Sequence, residues 1–239
     1  YLSNITATSS NEKIVSVVKN GSYINLNANS VGEATINVMV PYDGKYKESE
    51  LSFKVTVKKK EIGNDKVTLL GIPQNPEVNS KSKLDVSVST SENIGKITKT
   101  YSILDVIKLD GSKVEKESYD NYVRIDNDGN FTFLKACTFE AEVNVTSENS
   151  NIIFAPVKTG KITINKAILS FEKENLSIKY GEKAENKLNG FNSEYGTLTY
   201  FSSDSKVASV DTNGNVTGND IGKATITAAL DSESYVFGD

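Results

Sequence analysis

Apolar and polar residues alternate along short stretches of this chain, and no long helical period competes with them. In residues 34–40, Ala34, Ile36, Val38 and Val40 fall on one face. In residues 51–57, Leu51, Phe53, Val55 and Val57 do the same, and residues 161–164 and 224–230 repeat the pattern. A period of two predicts strands with one buried face and one wet face. β-Branched residues fill these runs, as a pleated, half-buried surface favours. Between them stand Asn20-Gly21, Asp43-Gly44, Asp110-Gly111, Asp128-Gly129 and Asn213-Gly214. Such pairs supply the positive φ that tight hairpins need. Many short strands at this spacing predict an all-β chain of sandwiches.

An internal repeat then sets the layout. Ser9-Ser10-Asn11-Glu12-Lys13-Ile14-Val15-Ser16-Val17 matches Ser202-Ser203-Asp204-Ser205-Lys206-Val207-Ala208-Ser209-Val210. Four residues after each copy comes the glycine of Asn-Gly, at Gly21 and Gly214. Each copy then reaches Gly-x-Ala-Thr-Ile, at Gly32 to Ile36 and at Gly222 to Ile226, with three extra residues in the first copy. In the middle of the chain, Ile125-Asp126-Asn127-Asp128-Gly129-Asn130-Phe131 echoes Val210-Asp211-Thr212-Asn213-Gly214-Asn215-Val216. Residues 139–145 stand there in place of the Ala-Thr-Ile strand, and the Ser-Ser start is absent.

These residues resemble the bacterial immunoglobulin-like domain family of the group-2 type. The third copy carries its pattern in order, from Tyr200 to Val210, from Asp211 to Val216 and from Gly222 to Ile226. The resemblance implies tandem immunoglobulin-like Greek-key β-sandwiches and a surface or spacer role, with no active site. Boundaries are expected near residues 59 and 166, where Val57-Lys58 and Asn165-Lys166 close two repeats. This divides the chain into 1–59, 60–166 and 167–239. By the phase of the repeat, the first sandwich lacks its opening strands and the third its last strand. The middle one is divergent, with a long loop. Missing strands would lie outside this window or be supplied by neighbouring subunits.

Composition narrows the chemistry. The 239 residues include no His and a single Cys, Cys137. No Ser-His-Asp or Cys-His pair and no His-ligated zinc can form. An internal disulfide is excluded. The formal net charge is −4, which speaks against nucleic acid as a partner. No apolar run reaches the ~18–20 residues of a membrane helix. Charge is uneven: 7 basic and 5 acidic residues in 1–59, 14 and 15 in 60–166, and 6 and 11 in 167–239.

Few constellations invite chemistry. Asp126-Asn127-Asp128-Gly129-Asn130 resembles the start of a calcium loop, but Gly comes too early for a third side-chain ligand before it and position 12 is Cys137. A hairpin turn is the expectation, and no cofactor is expected. Cys137 reads as a small buried apolar residue. The place to look for a ligand is the middle loop, residues 109–122, which ends in Tyr119, Asp120, Asn121 and Tyr122. Exposed tyrosines beside Asp and Asn can stack on and hydrogen-bond a sugar.

The sequence therefore predicts a non-catalytic stalk or assembly segment of a bacterial cell-surface or secreted protein. Its partners would be neighbouring domains of the same or adjacent chains. Two alternatives stand beside it: an adhesin or carbohydrate-binding module that meets host or cell-wall glycans or proteins through the middle loop, and an accessory region of a larger wall-active or polysaccharide-degrading enzyme.

Overall fold

Alternation becomes strand in the runs 34–40, 51–57 and 161–164, and in 224–230 from Ile226 onward. In the computed structural model, which describes residues 4–21, 23–42, 44–45, 47–193 and 196–237, nearly all regular structure is β. The expected turn at Asp43 lies outside the described residues. Cys137–Ser147 is the clearest case, with buried and half-buried positions alternating over its first nine residues. The fold class is all-β. The chain packs as two compact units. One holds residues 1–67, 88–99 and 144–156, and the other holds 68–87, 100–143 and 157–239.

In the first unit, Thr6–Ser9, Gly32–Val40 and Ser49–Val57 form one antiparallel sheet with Gly32–Val40 in the centre. Val15–Asn20 and Tyr23–Ala28 form a hairpin. Val15, Ala34 and Ile36 are buried between them, and Ile14, Val17, Val38, Val55 and Val57 pack around that centre. Lys60–Ile62 runs parallel to Ile152–Phe154. Asn151 holds this region: its carbonyl accepts from Lys60 N at 2.7 Å and its Oδ1 from Val31 N at 2.9 Å.

The second unit is centred on Phe131, Phe133 and Phe139, whose rings lie 5.4 to 6.1 Å apart. Offset and edge contacts of this kind add to the apolar area that the rings bury. Val123–Ile125, Asn130–Phe133 and Lys81–Lys83 form one sheet. Cys137 to Val143 pairs with Val157–Ile164, Cys137 facing Ile164. Residues 167–237 contribute three small sheets. Ala167–Phe171 lies between Leu188–Asn189 and a parallel Tyr235–Phe237. Asn215–Gly218 lies between Lys183–Glu185 and Ala208–Val210. Thr197–Ser202 pairs with Ile226–Asp231.

The sequence repeat is a repeat of register. Ser9 faces Ile36 in the first copy, and Ser202 faces Ile226 in the third. Ser10 N donates to Thr35 O at 2.9 Å while its hydroxyl accepts from Thr35 N at 2.8 Å. Ser203 and Thr225 repeat both bonds at 2.9 and 2.8 Å. This exchange explains why the second serine and the threonine recur together. The next position is Asn or Asp because its side chain caps the turn: Asn11 Oδ1 accepts from Lys13 N, and Asp204 Oδ1 from Lys206 N.

The three extra residues of the first copy lengthen its hairpin. Val17 pairs with Leu26, whereas the equivalent Val210 pairs with Val216. The shorter hairpin has a fixed turn. Asp211 Oδ1 accepts from Asn213 N and Asn215 N, and Asp211 Oδ2 from Asn215 Nδ2. Asp126 makes the same three bonds with Asp128 and Asn130. Both carboxylate oxygens are thus taken by N–H donors of a turn. In both turns the glycine has φ near +84° and lies against a tyrosine ring, Gly129 on Tyr101 and Gly214 on Tyr200.

Candidate functional site: the junction at Glu233

In the second unit, one densely bonded place lies outside the middle loop. It is where residues 232–235 meet the strands and turns around Leu134. The connection into Ala167–Phe171 is short, since Val157–Ile164 ends only two residues earlier. Both linking residues are fixed. Asn165 N donates to Pro76 O at 2.8 Å and Val78 N to Asn165 O at 3.0 Å. Lys166 Nζ donates to Ser232 O at 2.8 Å.

Residues 233–235 then bind by backbone and side chain alike. Ala136 N donates to Glu233 O at 3.1 Å, and Ala167 N to Ser234 O at 2.8 Å. Ser234 is 1% exposed, and its hydroxyl donates to Leu134 O at 2.8 Å. A buried hydroxyl with its partner in place avoids the desolvation cost it would otherwise carry. Tyr235 is 3% exposed; its hydroxyl accepts from Asn79 Nδ2 at 2.8 Å and from Asn192 N at 3.1 Å. The Phe191 ring packs on it with centroids 5.7 Å apart.

Charge completes the contact. Glu233 Oε1 lies 3.2 Å from Lys108 Nζ, and Oε2 lies 3.0 Å from Lys135 Nζ. The Lys135 ammonium, with Lys108 beside it, holds the Glu233 carboxyl below the usual carboxylate range. The Tyr122 hydroxyl, and after it Glu233, hold the Lys108 ammonium above its ordinary value. Lys135 Nζ also sits 5.0 Å from the centre of the Tyr122 ring, a cation–π geometry.

This places the four residues picked from the middle loop. Lys116–Asn121 is a short 3₁₀ helix. Asp120 and Asn121 are exposed, and Tyr119 is half-buried with its hydroxyl 3.4 Å from Leu104 O. Tyr122 is 6% exposed. Its carbonyl accepts from Leu134 N at 2.8 Å and Lys135 N at 3.1 Å, which draws the residue into the wall beneath Lys135. Its ring therefore faces Lys135 rather than open solvent, unlike the exposed stacking surface expected from sequence. Glu233, Ser234 and Tyr235 were not visible as site residues, because residues 231–234 read as a polar loop with no period.

Other candidates resolve simply. Cys137 is fully buried, and burial pushes its thiol up to about 12. Among the described residues, no group of three or more Cys, Asp or Glu is placed to hold a metal ion. No described helix is long and apolar enough to cross a membrane.

Residues 175–235, about a quarter of the chain, match the family model of the bacterial Ig-like domain (group 2). No curated protein matches the chain. Among solved structures, the Yersinia pseudotuberculosis adhesin InvE is similar at 13% identity and a TM-score of 0.31, over 68% of this chain and 49% of that one. The S-layer protein rSbsC is similar at 16% identity and 0.28, over 98% and 35%. Invasin, a bacterial integrin-binding protein, is similar at 12% identity and 0.22, over 98% and 52%. The chain thus spans about a third to a half of these proteins, and at such scores the likenesses carry no inference about role. The family match covers the motifs from Tyr200 to Ile226 and both walls of the turn at Asp211. Residues 175–235 are thus similar to the bacterial Ig-like domain of group 2.

Proposed function

We propose that the chain is a non-catalytic structural segment of a bacterial cell-surface or secreted protein, a stalk or assembly piece that spaces or presents other domains. The observation that carries this reading is the junction at Glu233. A two-residue connection, backbone bonds from Ala136 and Ala167 and a buried Ser234 hydroxyl leave little freedom between residues 167–237 and the strands they contact. Rigid connection is what a spacer needs and what a catalytic cleft between moving domains does not. The match of residues 175–235 to a bacterial Ig-like domain supports the bacterial, surface-exposed setting. Its partners are neighbouring domains of the same or adjacent chains.

The test is made on the protein displayed by its own cell, intact or with Glu233→Ala and Ser234→Ala combined. Under this reading, breaking the junction lowers the access of a bulky probe to the distal parts. Unchanged access, with loss of a specific attachment in Asp120→Ala combined with Asn121→Ala, would favour the adhesin reading instead.

A further inference from the structure

A pairing recurs at two places that the sequence motifs do not mark, once within each compact unit. Lys60–Ile62 runs parallel to Ile152–Phe154, and residues 167–169 run parallel to Tyr235–Phe237. Both pairings start with the same bond: Lys60 N donates to Asn151 O at 2.7 Å, and Ala167 N to Ser234 O at 2.8 Å. The registers agree, with Ile62 opposite Phe154 and Leu169 opposite Phe237. Burial agrees as well. Ile62 and Leu169 are buried, as are Ile152 and Tyr235, which open the two partner strands. The middle positions Ile153, Ile168 and Val236 are exposed. Each entering strand also follows the strand before it after only two residues, Lys58-Lys59 and Asn165-Lys166.

Direction decides what tension does to such a pair. Tension along the chain draws the entering strand back toward its N-terminal end. It draws the later strand onward toward its C-terminal end. Two antiparallel neighbours loaded at adjacent ends open one bond at a time. In a parallel pair the two pulls oppose each other along the strand axis, so the evenly spaced cross-strand bonds are loaded together. Burial of the flanking side chains strengthens those bonds and keeps replacement water away.

We propose that these two parallel pairs are shear clamps, through which the chain bears tension applied along its length. The partner strand of the second clamp is itself fixed, by the Ser234 hydroxyl on Leu134 O and by the Tyr235 hydroxyl with Asn79 and Asn192. The entering strand of that clamp is held on its other flank by Leu188–Asn189. In the first clamp, Lys60 Nζ is paired with Glu92 at 2.6 Å. This adds a tensile role to the spacer reading but does not rest on it, since the clamp is a property of the fold.

Force spectroscopy on the whole 239-residue protein carrying Glu233→Cys tests the second clamp. Glu233 is exposed and stands just before the partner strand. Buried Cys137 does not compete for the tethering reagent. One tether joins the two ends of the chain and loads the pair in shear. The other joins the N-terminal end to the thiol introduced at position 233. It loads both strands at their starting ends, so the same pair is peeled. Release of residues 167–237 lengthens the chain by about 25 nm at ~3.6 Å per residue. That step is expected to need the higher force in shear and to lose rupture force when the tether moves to position 233. Both tethers use one protein, so a folding defect would enter both readings. Equal force in the two geometries, a lower force in shear, or no discrete step near 25 nm would each overturn the proposal. Probe access on the cell does not enter this result, so the clamp and the spacer reading fail separately.

Discussion

Glu233 Oε2 stands 3.0 Å from Lys135 Nζ, and the same Lys135 ammonium lies over the Tyr122 ring. The pair joins a residue of the third copy to one next to the aromatic core of the middle stretch. Its carboxylate remains 46% exposed, so its worth is that of a surface pair. Glu233→Gln is expected to cost under about 1 kcal/mol. It should nevertheless raise exchange at the Ala136 N–H, which donates to the Glu233 carbonyl.

The pH dependence has a definite sign. Glu233 is depressed in the folded chain. Its contribution is therefore complete above the unfolded value of about 4.3 and is lost as pH falls through the folded value. Asp126 and Asp211, held down by Asn130 and Asn215, act in the same direction. Lys108 is raised, so its share is complete below about 10.4 and is lost as pH rises through the folded value. Urea midpoints should hold between these limits and fall on the acid side. The Glu233→Gln variant should show a shallower acid limb.

Removing the buried hydroxyl should cost more than removing the exposed charge. Ser234→Ala leaves the Leu134 carbonyl without its donor at a position that is 1% exposed. The expected loss is about 1–3 kcal/mol in urea unfolding. Equal effects of Ser234→Ala and Glu233→Gln would count against a junction held mainly by its buried bonds.

The two Asn-Gly turns should respond differently to alanine. At Gly214 an added Cβ would stand 2.8 Å from Tyr200 Cζ, whereas at Gly21 nothing lies within 4 Å. Both have positive φ, so each substitution carries about 1–2 kcal/mol of backbone strain. Gly214→Ala should add a steric cost and lower the thermal midpoint further than Gly21→Ala. Part of that extra loss should return when Tyr200→Leu is combined with it.

Cys137 offers a probe of opening. With its thiol fully buried and pushed up to about 12, it should not react with a thiol reagent in the native state. Modification should follow the unfolding of Cys137–Ser147 and accelerate in denaturant. Rapid labelling at neutral pH would show that this strand opens locally.

Local patterns made the repeats legible. The Ser-Ser pairs, the Asp126 and Asp211 turns and the Ile36 and Ile226 positions are fixed by contacts inside one hairpin or one pair of neighbouring strands. Alternation and turn chemistry report such contacts directly. The junction was not legible, because its bonds join residues far apart in sequence. Ser234 and Leu134 are 100 residues apart, and Asn79 and Tyr235 are 156 apart. Neither partner in those pairs carries a period that marks it. Tyr122 was placed on the surface for a related reason. The 3₁₀ turn before it breaks the alternation, and its burial is set by Leu134 and Lys135 rather than by its own neighbours in sequence.

On these bonds, the junction at Glu233 holds the third copy fixed on the strands around Leu134. Double electron–electron resonance between spin labels at Thr132→Cys and Lys206→Cys, both exposed positions, tests it most directly. One narrow distance distribution is expected at neutral pH, broadened when Glu233→Ala and Ser234→Ala are combined. A broad or multimodal distribution in the chain with its junction intact would contradict it.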